Sequence, residues 1–136
     1  LRGNDGSFVL RPTAPAISIL LTGDTGARIE RRLVSEQAEA LSAEVLLVPH
    51  HGSRHSSSAD FVQAVAPRYA LVSAGYRNRY GFPRPEVVAR YREVGAQLLE
   101  TAAEGAIRVR IMQDGELLVD SYRRQKARYY HRRPEL

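Results

Sequence analysis

The stretch Val45-Leu46-Leu47-Val48-Pro49-His50-His51-Gly52-Ser53 constrains the fold more than any other. The four apolar residues read as a buried strand. Pro49 ends it, because proline donates nothing to a strand ladder. The strand therefore opens at its carboxyl end onto two imidazoles and a polar loop, Ser53-Arg54-His55-Ser56-Ser57-Ser58. Imidazoles in such a position are placed to bind a metal; the plainer reading is one packed histidine and one solvated one. Upstream, Leu20-Leu21-Thr22-Gly23-Asp24 repeats the design, with a carboxylate just past an apolar strand. Asp24 also reads as the N-cap of the next helix, and one oxygen can cap while the other binds metal.

The rest of the chain follows the same punctuation. Strands are expected at Ser7–Leu10, Ile17–Leu21, Val45–Val48 and Tyr69–Ser73, the first two joined by the turn Pro12-Thr13-Ala14-Pro15. A helix is expected over Ala27–Leu41, with Ile29, Leu33, Ala40 and Leu41 on its apolar stripe. Arg28, Glu30, Arg31, Arg32, Glu36 and Glu39 fill its polar positions. Ser58 can cap a short helix carrying Phe61, Val62 and Val65, which Pro67 stops. Pro85 opens a helix over Pro85–Val94 with Val87, Val88, Tyr91 and Val94 on its buried face, and Gly95 closes it. Gln97–Leu99 reads as a brief strand. Ile107–Met112 and Glu116–Val119 read as a hairpin around Gln113-Asp114-Gly115. Strands alternating with helices make an α/β, or layered α+β, fold.

In such sheets ligands bind outside the carboxyl ends of the strands. Asp24, His50 and His51 stand there, as do Asn78 and Arg79 after the fourth strand. Carboxylate and imidazole together suit a borderline divalent cation such as Zn²⁺ or Mn²⁺. Ser53, Arg54, Ser56, Ser57 and Ser58 offer hydroxyls, amides and a charge that can hold a phosphate, or form an ordinary capped loop. Asn78, Arg79 and Tyr80 can grip a nucleic-acid backbone or stack on a base, or simply pack their loop.

Length and composition set the limits. A chain of 136 residues suffices for one small domain. The absence of cysteine excludes disulfides and thiolate metal sites, and no apolar run is long enough to span a bilayer. The start, Leu1-Arg2-Gly3-Asn4-Asp5, reads as a cut through a larger protein. The net charge of +5 is concentrated at one end: from Arg123 to Leu136 there are six Lys/Arg and one acid, leaving the body formally neutral. The chain thus divides into a domain over residues 1–122 and a basic tail over 123–136. Arg123, Arg124, Lys126 and Arg128 lead that tail, which favours nucleic acid, anionic lipid or an acidic partner, unless it is a solvated extension.

The Gly23-Asp24 and Pro49-His50-His51-Gly52-Ser53 stretches at this spacing resemble the metallo-β-lactamase fold. With Ser56-Ser57-Ser58, Asn78-Arg79-Tyr80-Gly81 and Thr101-Ala102-Ala103-Glu104-Gly105-Ala106-Ile107, the chain looks most like the hydrolase domain of ComEC-type competence proteins, the DNA-uptake channels of bacteria. The resemblance implies the carboxyl-terminal half of an αββα sandwich with a dinuclear metal site, of Mn or Zn, between its sheets. It implies an inner-membrane protein with this domain on the extracytoplasmic, periplasmic side. Its partners would be DNA (single strand or duplex backbone), a membrane-embedded channel in the same polypeptide and the missing amino-terminal half of the domain. The function implied is a DNA phosphodiesterase, or nuclease, that degrades the strand not transported. By the same analogy Asp24 bridges the two metals, and His50 or His51 is the late histidine ligand, the other orienting it or facing phosphate.

Two departures matter. The family's His-x-(His/Asp)-x-Asp-His cluster is absent, since the remaining histidines, His55 and His131, are isolated. Phe82 stands where the family's Tyr-Gly-x-Pro loop often has histidine, and it cannot bind metal. The fragment alone is accordingly expected to be inactive and metal-free or weakly metal-binding. The competing readings are a non-catalytic DNA-binding module, or another hydrolase of this fold acting on phosphocholine esters or lactones.

Overall fold

The computed structural model describes residues 13–14 and 17–126. The strand expected at residues 7–10, and Arg128 with the rest of the tail beyond residue 126, lie outside the described residues. Five strands form one sheet in sequential order: β1 (Thr13–Ala14), β2 (Ile17–Leu21), β3 (Val45–Leu47), β4 (Tyr69–Val72) and β5 (Gln97–Glu100). β1 pairs antiparallel with β2, so the segment expected as a simple turn contributes a two-residue edge strand. The others run parallel, in the register Leu20–Leu46–Ala70–Leu98. Parallel neighbours need crossovers, which α1 (Ala27–Gln37), α2 (Ala59–Val65) and α3 (Pro85–Glu93) supply. The short α4 (Thr101–Glu104) follows β5. A separate antiparallel pair, β6 (Ile107–Ile111) and β7 (Leu117–Ser121), then leads into α5 (Tyr122–Gln125).

The first helix is shorter than its apolar stripe implies. It ends at Gln37, whose backbone (φ −146°, ψ 31°) leaves the helical region, and a 3₁₀ turn over Ala38–Leu41 carries Leu41 into the core. Asp24 does not cap it. Gly26 is the N-cap, and the amide of Ala27 donates to the carbonyl of His55 at 2.9 Å. Ser58 stands at the N-cap of α2, but its hydroxyl makes no bond there.

Alternation along the strands sorts the sheet into two faces. Leu20, Leu46, Val48, Ala70 and Val72 pack with Leu41, Phe61, Val62, Val65, Val87 and Tyr91 of the helical layer. The opposite face presents Ile19, Leu21, Leu47 and Leu71, half-buried, beside Ile17, Val45 and Leu99, which are buried. Parallel sheets are normally covered on both faces, so this apolar second face is suited to a further layer.

Tyr91 is the largest fully buried side chain, and its hydroxyl lies 2.9 Å from the hydroxyl of Ser57. Burial pushes the phenol well above the ordinary tyrosine range. The Ser57 hydrogen bond opposes this, the nearby Glu30 charge adds to it and Arg90 opposes it. The fold therefore holds the neutral phenol. Above about pH 10 an unfolded tyrosine ionises; the unfolded chain then binds fewer protons than the folded one, so stability falls as pH rises. The slope from this one group is up to about 1.4 kcal/mol per pH unit. Urea midpoints between pH 9 and 11 are expected to fall less steeply in Tyr91→Phe than in the parent chain.

Candidate functional site

Three parallel strands deliver their carboxyl ends to one edge of the sheet, and hydrogen bonds tie the loops that follow. The Thr22 hydroxyl donates to the carbonyl of Leu47 at 2.7 Å, and the Thr25 hydroxyl donates to the carbonyl of Thr22. The amide of His50 donates to the carbonyl of Gly23 at 3.0 Å, so the loops after β2 and β3 are held side by side.

After Pro49 the backbone takes a left-handed course through His50 (φ 48°), His51 (φ 57°) and Gly52 (φ 83°). Nothing in the apolar run or the proline signalled this turn. It separates the two rings. His51 is half-exposed and faces Asp24, with its Nε2 3.4 Å from an Asp24 oxygen. The His50 ring meets Phe82 edge-on, with centroids 6.1 Å apart. Asp24 is thus met by the ring of His51.

The tautomer of His51 follows from its other neighbour. Nδ1 lies 2.7 Å from the carbonyl oxygen of Ser73, in the loop after β4. A carbonyl only accepts, so Nδ1 carries the proton, and in the neutral ring Nε2 is left with a lone pair beside the carboxylate. Holding the far nitrogen with a carbonyl is how proteins orient a metal-ligating histidine. Two donor atoms about 2.0–2.1 Å from a tetrahedral ion lie about 3.3–3.4 Å apart, and the observed Nε2–Oδ1 separation of 3.4 Å fits that bite. Among the described residues no group of three or more His, Cys, Asp or Glu side chains could hold an ion. The pair therefore fits two coordination positions, with the others to be supplied from elsewhere.

The serine loop is used differently from a phosphate cradle. Ser53, Ser56 and Ser57 are buried. The Ser56 hydroxyl lies 2.9 Å from the carbonyls of Pro49 and Ser53, bracing the histidine turn. The amides of Ser57 and Ser58 donate to the two oxygens of Glu30 at 2.6 and 2.8 Å, and Arg90 donates to the Ser57 carbonyl at 2.8 Å. Glu30, assigned from sequence to a polar helix position, is fully buried. Its spacing from Leu33 and Val34 places it on the apolar stripe, which is the signal that marks it. The anion these amides bind is a carboxylate of the protein itself. Arg54 and His55 are exposed on the same loop.

In the loop after β4, Asn78 staples its own segment. Its amide nitrogen donates to the carbonyls of Gly75 and Phe82 at 3.1 and 2.7 Å, and its oxygen accepts from the Phe82 amide at 2.9 Å. Arg79 lies over the Tyr80 ring at 4.8 Å, and Tyr80 stacks on Phe82 with centroids 5.5 Å apart. Tyr80 is exposed, so an aromatic and cationic surface runs from solvent through Phe82 to His50. At the end of the chain Arg124 makes a two-pronged pair with buried Glu104 (2.7–3.1 Å), which also accepts from the Ser121 hydroxyl. Lys126 is exposed.

No family model matches the chain. It is 42% identical over 104 residues to the competence protein ComA of Neisseria gonorrhoeae, an alignment covering 76% of this chain and 15% of that protein. It is 35% identical over 130 residues to an uncharacterized protein, YcaI, of Escherichia coli, covering 96% of this chain and 17% of that protein. It is 34% identical over 107 residues to ComE operon protein 3 of Bacillus subtilis, covering 79% and 14% respectively. The chain thus spans 14–17% of the length of these relatives.

Gly52 tests how the turn is held. A Cβ there would lie 2.5 Å from Cβ of Pro83, and the residue has positive φ. Gly52→Ala is expected to cost about 2–3 kcal/mol from the combined strain and clash. Gly75→Ala, whose added Cβ meets nothing within 4 Å, is expected to stay within about 1 kcal/mol. Chemical denaturation of the two variants checks this.

Proposed function

We infer that the chain belongs to the competence and DNA-uptake protein family of its named relatives, and that it contributes part of a divalent-metal site hydrolysing DNA phosphodiester bonds. The names of the relatives support the first half directly. One observation carries the second: a carbonyl-oriented His51 Nε2 and the Asp24 carboxylate lie 3.4 Å apart at the carboxyl edge of a parallel sheet. The resemblance to the metallo-β-lactamase fold is supported by the helical layer on one face and the half-buried apolar face on the other. The missing half of the sandwich would cover that face and bring the remaining metal ligands.

On this reading each residue has a defined task. Asp24 and His51 hold divalent ions, and the Ser73 carbonyl keeps the His51 Nε2 lone pair aimed beside Asp24. When bound, two such ions supply Lewis acidity and an activated water for displacement at phosphorus. Arg79 offers charge to the sugar–phosphate backbone, and Tyr80 offers an exposed face for a base. Asn78 keeps that loop in shape.

The larger protein would be membrane-associated through segments outside this chain, with this domain on the periplasmic side. Among the described residues no helix is long and apolar enough to cross a membrane. A second reading, a DNA-binding module without catalysis, draws on the lack of any group of three or more ligating side chains among the described residues.

Cleavage of end-labelled DNA in Mn²⁺ decides between them. The intact protein is expected to cut and the 136-residue chain alone is not. In the intact protein, Asp24→Ala and His51→Ala are each expected to lower the rate by about 10–100-fold or more. His55→Ala, whose backbone rather than ring is engaged, is expected to change it little. Full activity in Asp24→Ala would remove the dinuclear mechanism, and no cutting by the intact protein would leave the binding module.

A further inference from the structure

A shallow, open cavity of about 390 Å³ is lined by residues 73–76, Thr101, Ala102 and Arg123. We propose that it is a nucleotide subsite, which takes one nucleotide of a DNA strand with its phosphate toward Arg123 and its base against Tyr76. The assignment to a DNA strand rests on the hydrolase reading; the cavity's preference for a nucleotide rests on its own walls.

Position is the first argument. Ser73 belongs to both places, because its carbonyl holds the ring of His51 and the residue lines the cavity. Ser73 thus links the cavity to the ring that faces Asp24. Charge is the second. No carboxylate lines the cavity, and its one ionised group is a guanidinium. Arg123 is aimed by hydrogen bonds of 2.7 and 3.0 Å from Nη1 to the carbonyls of Ala102 and Ala103. Carbonyls orient it without neutralising it, and among the described residues it makes no ion pair. The nearest acid along this segment, Glu104, is taken by Arg124. A guanidinium with uncompensated charge and remaining fork donors is suited to phosphate.

The third argument is the ring. Tyr76 is 50% exposed, and the Arg77 guanidinium lies 5.3 Å from its centroid. An aromatic face backed by a cation is a platform for a base, which a site for inorganic phosphate would not need. The wall between the two features is rigid. The Thr101 hydroxyl lies 3.0 Å from both the amide and the carbonyl of Ala74, tying the loop after β4 to α4. The volume falls within the range of small-ligand pockets, about 300–1,000 Å³.

The test is equilibrium dialysis of the full 136-residue chain against labelled thymidine 5′-monophosphate in EDTA, with unlabelled thymidine 5′-monophosphate, thymidine and inorganic phosphate as competitors. Saturable binding to one site is expected. Arg123→Gln and Tyr76→Leu are each expected to weaken it by about tenfold, as loss of a charge-assisted contact or of base stacking does, and Tyr76→Phe is expected to restore it. Should Arg123→Gln fail to fold, the pair of substitutions at exposed Tyr76 carries the test alone. Three results would each overturn the proposal: no saturable binding, affinity unchanged in Tyr76→Leu, or inorganic phosphate competing as well as the nucleotide, which marks a plain anion site. Because the dialysis contains no free divalent ion, failure of the hydrolase reading shows only in the cleavage assay and leaves this binding intact.

Discussion

The left-handed turn at His50-His51-Gly52 is the constraint on which the rest of the edge depends. Left-handed backbone costs a non-glycine residue roughly 1–2 kcal/mol, and here two such residues adopt it in succession before the glycine. The cost is offset by contacts that each come from a different element. The Gly23 carbonyl, after β2, accepts from the His50 amide; the Ser73 carbonyl, after β4, accepts from the His51 ring; and the Arg84 amide, before α3, donates to the Gly52 carbonyl at 2.9 Å. A helical course after Pro49 would carry the rings along one direction. The left-handed course turns His50 toward Phe82 and His51 toward Asp24. Strain held by surrounding structure at a strand end is where function is to be sought.

Behind the turn lies a second set of buried polar contacts that keeps it from relaxing. The carboxylate of Glu30, on α1, spans the amides of Ser57 and Ser58 at the start of α2, while Tyr91 and Arg90, on α3, hold the hydroxyl and carbonyl of Ser57. A buried carboxylate is tolerated when its oxygens are bonded, and breaking such a set leaves buried groups unpaired at several kcal/mol. Three helices thus converge on the segment that follows the histidines. The Ser56 hydroxyl carries the connection back to Pro49 at 2.9 Å. The serine loop acts as a brace for His51 rather than as a cradle for a ligand.

The parallel strands, the crossover helices and the hairpin were legible because their signals are local: apolar runs of strand length, proline at element starts and stops, and Asp114-Gly115 in the hairpin. The placement of Asp24 and of the two histidines just past strand ends was legible for a related reason. A polar residue just past a buried strand has few places to go, and the parallel topology sends all of those ends to one edge. What local pattern could not show was which histidine faces Asp24, because that depends on backbone dihedrals set by contacts with residues 23, 73 and 84. Glu30 was misplaced for the same reason. A glutamate in a helix with many charges reads as solvated, and only a partner from another segment explains its burial. The role of Arg124 likewise required the position of Glu104, twenty residues away in sequence.

That last pair changes how the chain's charge is understood. Counting bases treats the basic end as one diffuse attraction for polyanions, with every cation adding equally to a salt-dependent affinity. The geometry divides the described ones by task. Arg124 is paired with Glu104, which leaves it less charge to offer a polyanion. Arg123 is oriented by carbonyls that leave its charge available, at the rim of a defined cavity. Away from that end, Arg77 and Arg79 lie over tyrosine rings in the loop after β4, on the same edge as the cavity. Cations from two distant parts of the sequence, Arg77 and Arg79 after β4 and Arg123 near the end, thus stand near the strand ends, while Arg31, Arg54, Arg92, Arg108 and Lys126 are exposed as well. Cations near an edge attract a polyanion to it, and there the Asp24 carboxylate is the group that would repel it. Under the proposed metal binding, cations held at Asp24 would offset that repulsion, and charge placement and metal binding would then serve the same end.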